Sequence, residues 1–75
     1  LMIQSIRDDD PVIFFEHKAL YEETEEVPDE PYAIPLGQAR VARAGRDASI
    51  VTCGRMVRHA LAAAQALADR GIDCE

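Results

Sequence analysis

Three short stretches of this chain hold residue types that could do chemistry: Asp8-Asp9-Asp10, Glu16-His17-Lys18 and Thr52-Cys53-Gly54-Arg55. Consecutive acids resemble a cation loop, since hard cations take carboxylate and carbonyl oxygens. The alternate spacing and the glycine of an EF-hand are missing, which argues against calcium. Glu16 and His17 stand together at the C-terminal end of an apolar run, the edge of an open α/β sheet where ligands collect. An acid–base or hydrogen-bonding role is one reading; a polar strand exit that hydrogen-bonds a neighbouring domain is the favoured one, because no partner residue can be identified. The Thr52–Arg55 stretch lies where a strand turns into a helix and could offer amide groups to an anion. Neither G-x-G-x-x-G nor G-x-x-x-x-G-K-[ST] is present, so a dinucleotide fold or P-loop has no motif support. Cys53 could act as a nucleophile only beside a base. The nearest candidate, His59, lies more than a turn into the following helix and reads as a partly exposed helix residue, so a structural Cys53 is favoured. Two histidines and two cysteines are scattered without metal-ligand spacing.

The elements that would position these residues can be read from periodicity. Residues 1–7 carry apolar side chains at 2, 3 and 6, as the last turns of a helix packed on one side would. The triple acid and Pro11 stop it: acids oppose the negative end of the helix dipole, and the residue before proline avoids the α region. Residues 12–15 (Val-Ile-Phe-Phe) form an unbroken β-branched and aromatic run, which predicts a parallel-type strand buried on both faces. Residues 22–35 form an acidic connector whose prolines at 28, 31 and 35 block helix and central strand. Tyr21, Val27, Tyr32 and Ile34 would pin it to a surface.

The second half reads as strand, strand, helix, strand. Residues 38–43 and 48–53 look like a hairpin joined by Ala44-Gly45-Arg46-Asp47. Gly54 breaks the second strand, and a helix is predicted over 55–70. Val57, Leu61, Ala64 and Ala68 share one face, flanked by Ala60 and Leu67. Its many alanines give high helix propensity and allow close approach to a sheet. Gly71 is the expected left-handed stop, after which Ile72 opens a strand parallel to 48–53 through a crossover. The fold class predicted is α/β. Two half-built layers joined by a connector read as part of a larger α/β protein, with both ends looking like cuts.

Composition narrows the function. The net charge is −6, and 48 % of the 75 residues are hydrophobic. Residues 8–31 hold ten acids against Lys18 alone, whereas residues 32–75 hold four acids and six arginines. This balance argues against sequence-independent nucleic-acid binding, which needs clustered bases to displace counterions. Arg40, Arg43 and Arg46 read as a solvated or interface face. No apolar run approaches the roughly 18 residues of a membrane span, and no signal peptide is visible. Cys53 and Cys74, both in or beside apolar strands, read as buried free thiols of a reducing, cytoplasmic compartment.

The ordered series of residues 6–18 (Ile-Arg-Asp-Asp-Asp-Pro-Val-Ile-Phe-Phe-Glu-His-Lys), Leu20-Tyr21, Glu26-Val27-Pro28, Tyr32, Ile34-Pro35-Leu36-Gly37, Ile50-Val51-Thr52 and Gly54-Arg55-Met56-Val57 resembles a known family. It is similar to the β subunit of the thiamine-diphosphate-dependent decarboxylating component of 2-oxoacid dehydrogenase complexes, a transketolase-like family, closest in flavour to acetoin and pyruvate dehydrogenases. His17 favours that side, while Glu25-Glu26-Val27-Pro28 with Glu30-Pro31-Tyr32 also looks like the branched-chain type. The resemblance implies that residues 1–16 end a pyrimidine-binding domain, 17–36 form the interdomain connector, and 37–75 begin the C-terminal domain. It implies an α2β2 enzyme, with an α subunit, a second β subunit and a lipoyl acyltransferase as partners. It also implies thiamine diphosphate with Mg2+ held outside this segment, and no catalytic or cofactor-binding residue within it. One site carries over: a structural K+ held in part by Ser5, Asp8 and Asp10. The rival readings are another transketolase-like enzyme, such as a deoxyxylulose-phosphate synthase, and a small non-catalytic α/β interaction module with an acidic arm.

Overall fold

A computed structural model describes residues 1–75. The chain divides into two compact units, Leu1–Ala39 and Arg40–Glu75.

The first unit begins with a short helix, α1 (Met2–Arg7). Ser5 supports it through its hydroxyl, which donates to the Leu1 carbonyl at 3.0 Å alongside its own amide at 2.9 Å. The helix stops at Asp8, whose backbone is extended (φ −71°, ψ 143°). The Asp8 carboxylate then accepts the Asp10 amide at 2.9 Å, an Asx turn that competes with further helix. The triple acid is therefore a helix stop. A single turn of 3-10 helix, Lys18–Leu20, follows.

The strand expected at residues 12–15 pairs with nothing. Ile13 is 81 % exposed and Phe15 89 %. A strand is stabilised by its partners rather than by its own propensity, and this unit contains no second strand to accept its ladder. The connector residues Tyr21, Val27, Tyr32 and Ile34 are likewise exposed, and no residue of the first unit is buried.

The second unit is built around one helix, α2 (Met56–Ala68). Gly54, at φ +57°, supplies the left-handed residue that turns the chain into it. At the far end Gly71 adopts φ +84°, with the Gly71 amide bonded to the Ala68 carbonyl (3.0 Å) and the Ile72 amide to the Leu67 carbonyl (3.0 Å). These two bonds are the Schellman closure that a left-handed glycine shortly past the helix makes possible. Buried or half-buried positions on α2 are Val57, Ala60, Ala64, Leu67 and Ala68, centred on Ala64 at 4 % exposure. Leu61, expected on that face, lies at its edge and is exposed.

Beyond α2 the chain returns to pair with residues just before the helix. Ala48 and Cys74 form a parallel bridge. The Glu75 amide donates to the Ala48 carbonyl at 2.8 Å, and the Ile50 amide to the Glu75 carbonyl at 2.7 Å. Segment, helix and parallel segment make the crossover expected from the sequence. The hairpin between 38–43 and 48–53 is not formed: residue 48 pairs with 74 and no ladder joins it to residues 38–43. The 44–47 turn faces residue 73 instead of closing a two-stranded ribbon, so its polar groups are used elsewhere. Cys74 is buried at 1 % exposure, whereas Cys53 is exposed, so only one of the two expected buried thiols lies inside. No helix is long and apolar enough to cross a membrane.

Candidate functional site

Within the first unit the polar residues singled out by sequence fall into two local arrangements. Ser5 and Asp8 lie at the end of α1, with Asp8 Oδ1 bound to the amide of Asp10. The Asp8 carboxylate and Ser5 hydroxyl keep further lone pairs that could accept a hard cation. No group of three or more His, Cys, Asp and Glu side chains is arranged to hold a metal ion.

The second arrangement is at Glu16. The Tyr21 phenol donates to Glu16 Oε2 at 2.7 Å, across the 3-10 turn. The hydrogen bond to the Glu16 carboxylate, and then the negative charge of that carboxylate, raise the phenol above its ordinary value near 10. Glu16 is thus occupied in closing a turn. Sequence reasoning marked Glu16 but missed Tyr21 as its partner; the five-residue separation over a turn was the only available signal.

In the second unit, polar contacts gather on Asp73. Its amide donates to Asp47 Oδ2 at 2.8 Å. Its carbonyl accepts the amides of Arg46 (3.1 Å) and Asp47 (2.8 Å). Its carboxylate lies 4.0 Å from the Arg43 guanidinium, whose other terminal nitrogen is buried without a hydrogen-bond partner. Gly45 passes against the Cys74–Glu75 backbone so closely that a Cβ there would overlap it. Of the three arginines read as a solvated or interface face, Arg43 is half-buried and turned to Asp73. Asp47 and Asp73 are 26 residues apart, so the contact had no local sequence signal.

The Thr52–Arg55 turn leads into α2, but the first turn of α2 is closed by the chain itself. The Val57 amide bonds to the Gly54 carbonyl (3.2 Å) and the Arg58 amide to the Arg55 carbonyl (3.3 Å). Cys53 and His59 are exposed.

Comparison with known proteins supplies what the local chemistry does not. The family described as "Transketolase, C-terminal domain" matches residues 37–75. Over the whole chain, the sequence is 59 % identical to an acetoin:2,6-dichlorophenolindophenol oxidoreductase subunit beta of Cupriavidus necator. It is 51 % identical to a pyruvate dehydrogenase E1 component subunit beta of Bacillus subtilis, and 45 % to an acetoin:2,6-dichlorophenolindophenol oxidoreductase subunit beta of that organism. The chain spans only 22–23 % of the length of these relatives. No solved structure matches it. The α/β reading agrees with the family match and with the parallel crossover in the same residues. With residues 37–75 matched, the chain belongs to the transketolase C-terminal domain family, and along its full length it is similar to β subunits of acetoin and pyruvate dehydrogenases.

Proposed function

We propose that this chain is scaffold within the β subunit of a thiamine-diphosphate-dependent acetoin or 2-oxoacid dehydrogenase. The reading rests on the 59 % identity that runs through all 75 residues, connector included. Acetoin is the first substrate to test, since the Cupriavidus necator relative exceeds the pyruvate relative in identity, 59 % against 51 %. In this reading the parent enzyme is a cytoplasmic α2β2 assembly that passes an acyl unit to a lipoyl group on an acyltransferase. Thiamine diphosphate supplies the carbanion chemistry when bound, and its Mg2+ is held outside this segment. The residues of this chain carry the junction between two domains: 1–16 close the pyrimidine-binding domain, 17–36 connect, and 37–75 open the C-terminal domain. Support for the second boundary comes from the family match beginning at Gly37 and from the division of the chain after Ala39.

Ser5, Asp8 and Asp10 are assigned to a structural K+, together with oxygens from elsewhere in the parent. Their carboxylate and hydroxyl chemistry suits a hard cation. A parent enzyme whose melting temperature rises with K+ over Na+, and loses that difference in Asp8→Ala, bears this out; equal melting in the two salts removes the site.

The scaffold role is tested by calorimetric titration of thiamine diphosphate with Mg2+ into the 75-residue chain. No binding in the micromolar range is expected, because the chain offers no assembled cofactor site. Micromolar binding contradicts the assignment.

A further inference from the structure

We propose that Asp47 is the register key of the parallel crossover: its side chain, added to a short set of backbone bonds, decides which residue of the returning strand lies opposite Ala48. The ladder itself is short, one bridge with two backbone hydrogen bonds, from Glu75 to Ala48 and from Ile50 to Glu75. Because side chains alternate faces along a strand, a slip of one residue would turn Cys74 outward and bring an acid, Asp73 or Glu75, to its place. A pairing this short leaves the register open to a slip unless the preceding turn, whose Arg46 and Asp47 amides both bond the Asp73 carbonyl, also holds it.

Asp47 removes that ambiguity. Its carboxylate accepts the Asp73 amide at 2.8 Å while its own amide donates to the Asp73 carbonyl at 2.8 Å. The two bonds grip both polar groups of one residue, and the Arg46 amide adds a third at 3.1 Å. A charge-assisted acceptor is the strong member of this set. Gly45 completes the fit, because its bare Cα lets the turn lie against the Cys74–Glu75 backbone. Asp73 is in turn the only residue of the returning strand that the 43–47 turn engages through both backbone and side chain. Asp47 is a positioning residue: it acts through Asp73 to seat Cys74 inside.

Cys74 provides the readout, since it is 1 % exposed and its thiol reports the register directly. The test is the rate at which an aromatic disulfide reagent titrates Cys74 in the 75-residue chain, with the exposed Cys53 replaced (Cys53→Ser). Asp47→Ala is expected to speed the reaction at least about tenfold. Asp47→Asn keeps an oxygen acceptor without its charge and is expected to react at a rate between those of the unsubstituted chain and Asp47→Ala. Far-ultraviolet circular dichroism follows α2 in parallel, to tell a shifted strand from lost structure. The proposal is overturned if Asp47→Ala reacts at the parent rate, or if Asp47→Asn reacts as fast as Asp47→Ala.

Discussion

The two units of this chain treat similar sequence material in opposite ways. Residues 12–15 are the most strand-like run in the sequence, yet they stand unpaired and exposed, and nothing in Leu1–Ala39 is buried. Residues 48–50 and 73–75 are weaker strand sequences, yet they pair, and the chain's two buried residues, Ala64 and Cys74, both lie in that unit. The difference is closure. In the second unit a helix with a well-made stop returns the chain onto itself, so a short ladder has both partners nearby. The first unit has only a six-residue helix and a 3-10 turn, and neither gives residues 12–15 a neighbouring strand. Within these 75 residues, which span 22–23 % of the relatives' length, high propensity without a partner leaves apolar surface exposed, and modest propensity with a partner gives the start of a core.

Substitutions can break or sharpen this contrast. The largest effect is expected at Gly45. Alanine there places a Cβ into the Cys74 and Glu75 backbone, and overpacking of this kind costs about 1–3 kcal/mol. Denaturant unfolding followed at 222 nm should show it. An unchanged midpoint would mean that the turn and strand do not approach as closely as described.

Gly71→Ala should come next. Nothing lies within 4 Å of the position, so space is not at issue. The cost is that of placing an L-residue at φ +84°, about 1–2 kcal/mol. The same unfolding measurement checks it, and Gly71→Asn, whose side chain tolerates the left-handed region better, should lose less.

A smaller, local effect belongs to the first unit. The Tyr21 phenol should titrate above its ordinary value because the neutral form donates to Glu16. The contribution to stability is therefore present below pH 10 and is lost as pH rises through the elevated value. Absorbance at 295 nm in a Tyr32→Phe background reads this directly, and Glu16→Ala should lower the midpoint. The exposure of Tyr21 keeps the influence on folding small. The least effect is expected at Phe15: at 89 % exposure, Phe15→Ser should change the stability of this chain by less than about 0.5 kcal/mol. A loss several times larger would place Phe15 in a packed cluster and erase the contrast.

What the residues alone revealed follows the same division. The periodic alanine-rich stretch and Gly71 announced α2 to within two residues at each end, because propensity and capping are local. The triple acid announced the end of α1 for the same reason. Pairing was legible only in part. Parallel return after α2 follows from the strand–helix–strand order, but the hairpin reading of 38–53 rested on a turn-rich tetrapeptide, and that turn serves residue 73 instead. The side-chain contacts Tyr21–Glu16 and Asp47–Asp73 were invisible for a plain reason: each depends on a turn or crossover geometry that no residue type specifies alone. The candidate cation residues were nameable through family resemblance and not through local geometry. The match over the full chain to β subunits of acetoin and pyruvate dehydrogenases bears out that resemblance as a whole.

Residue-resolved amide hydrogen exchange on the 75-residue chain tests the central claim most directly, which is that closure and not strand propensity decides where structure forms. Protection is expected at the amides of Ile50, Asp73 and Glu75 and through the middle of α2, with residues 12–15 exchanging at the rate of an open chain. Protection of Ile13, Phe14 and Phe15 equal to that of α2 would contradict it.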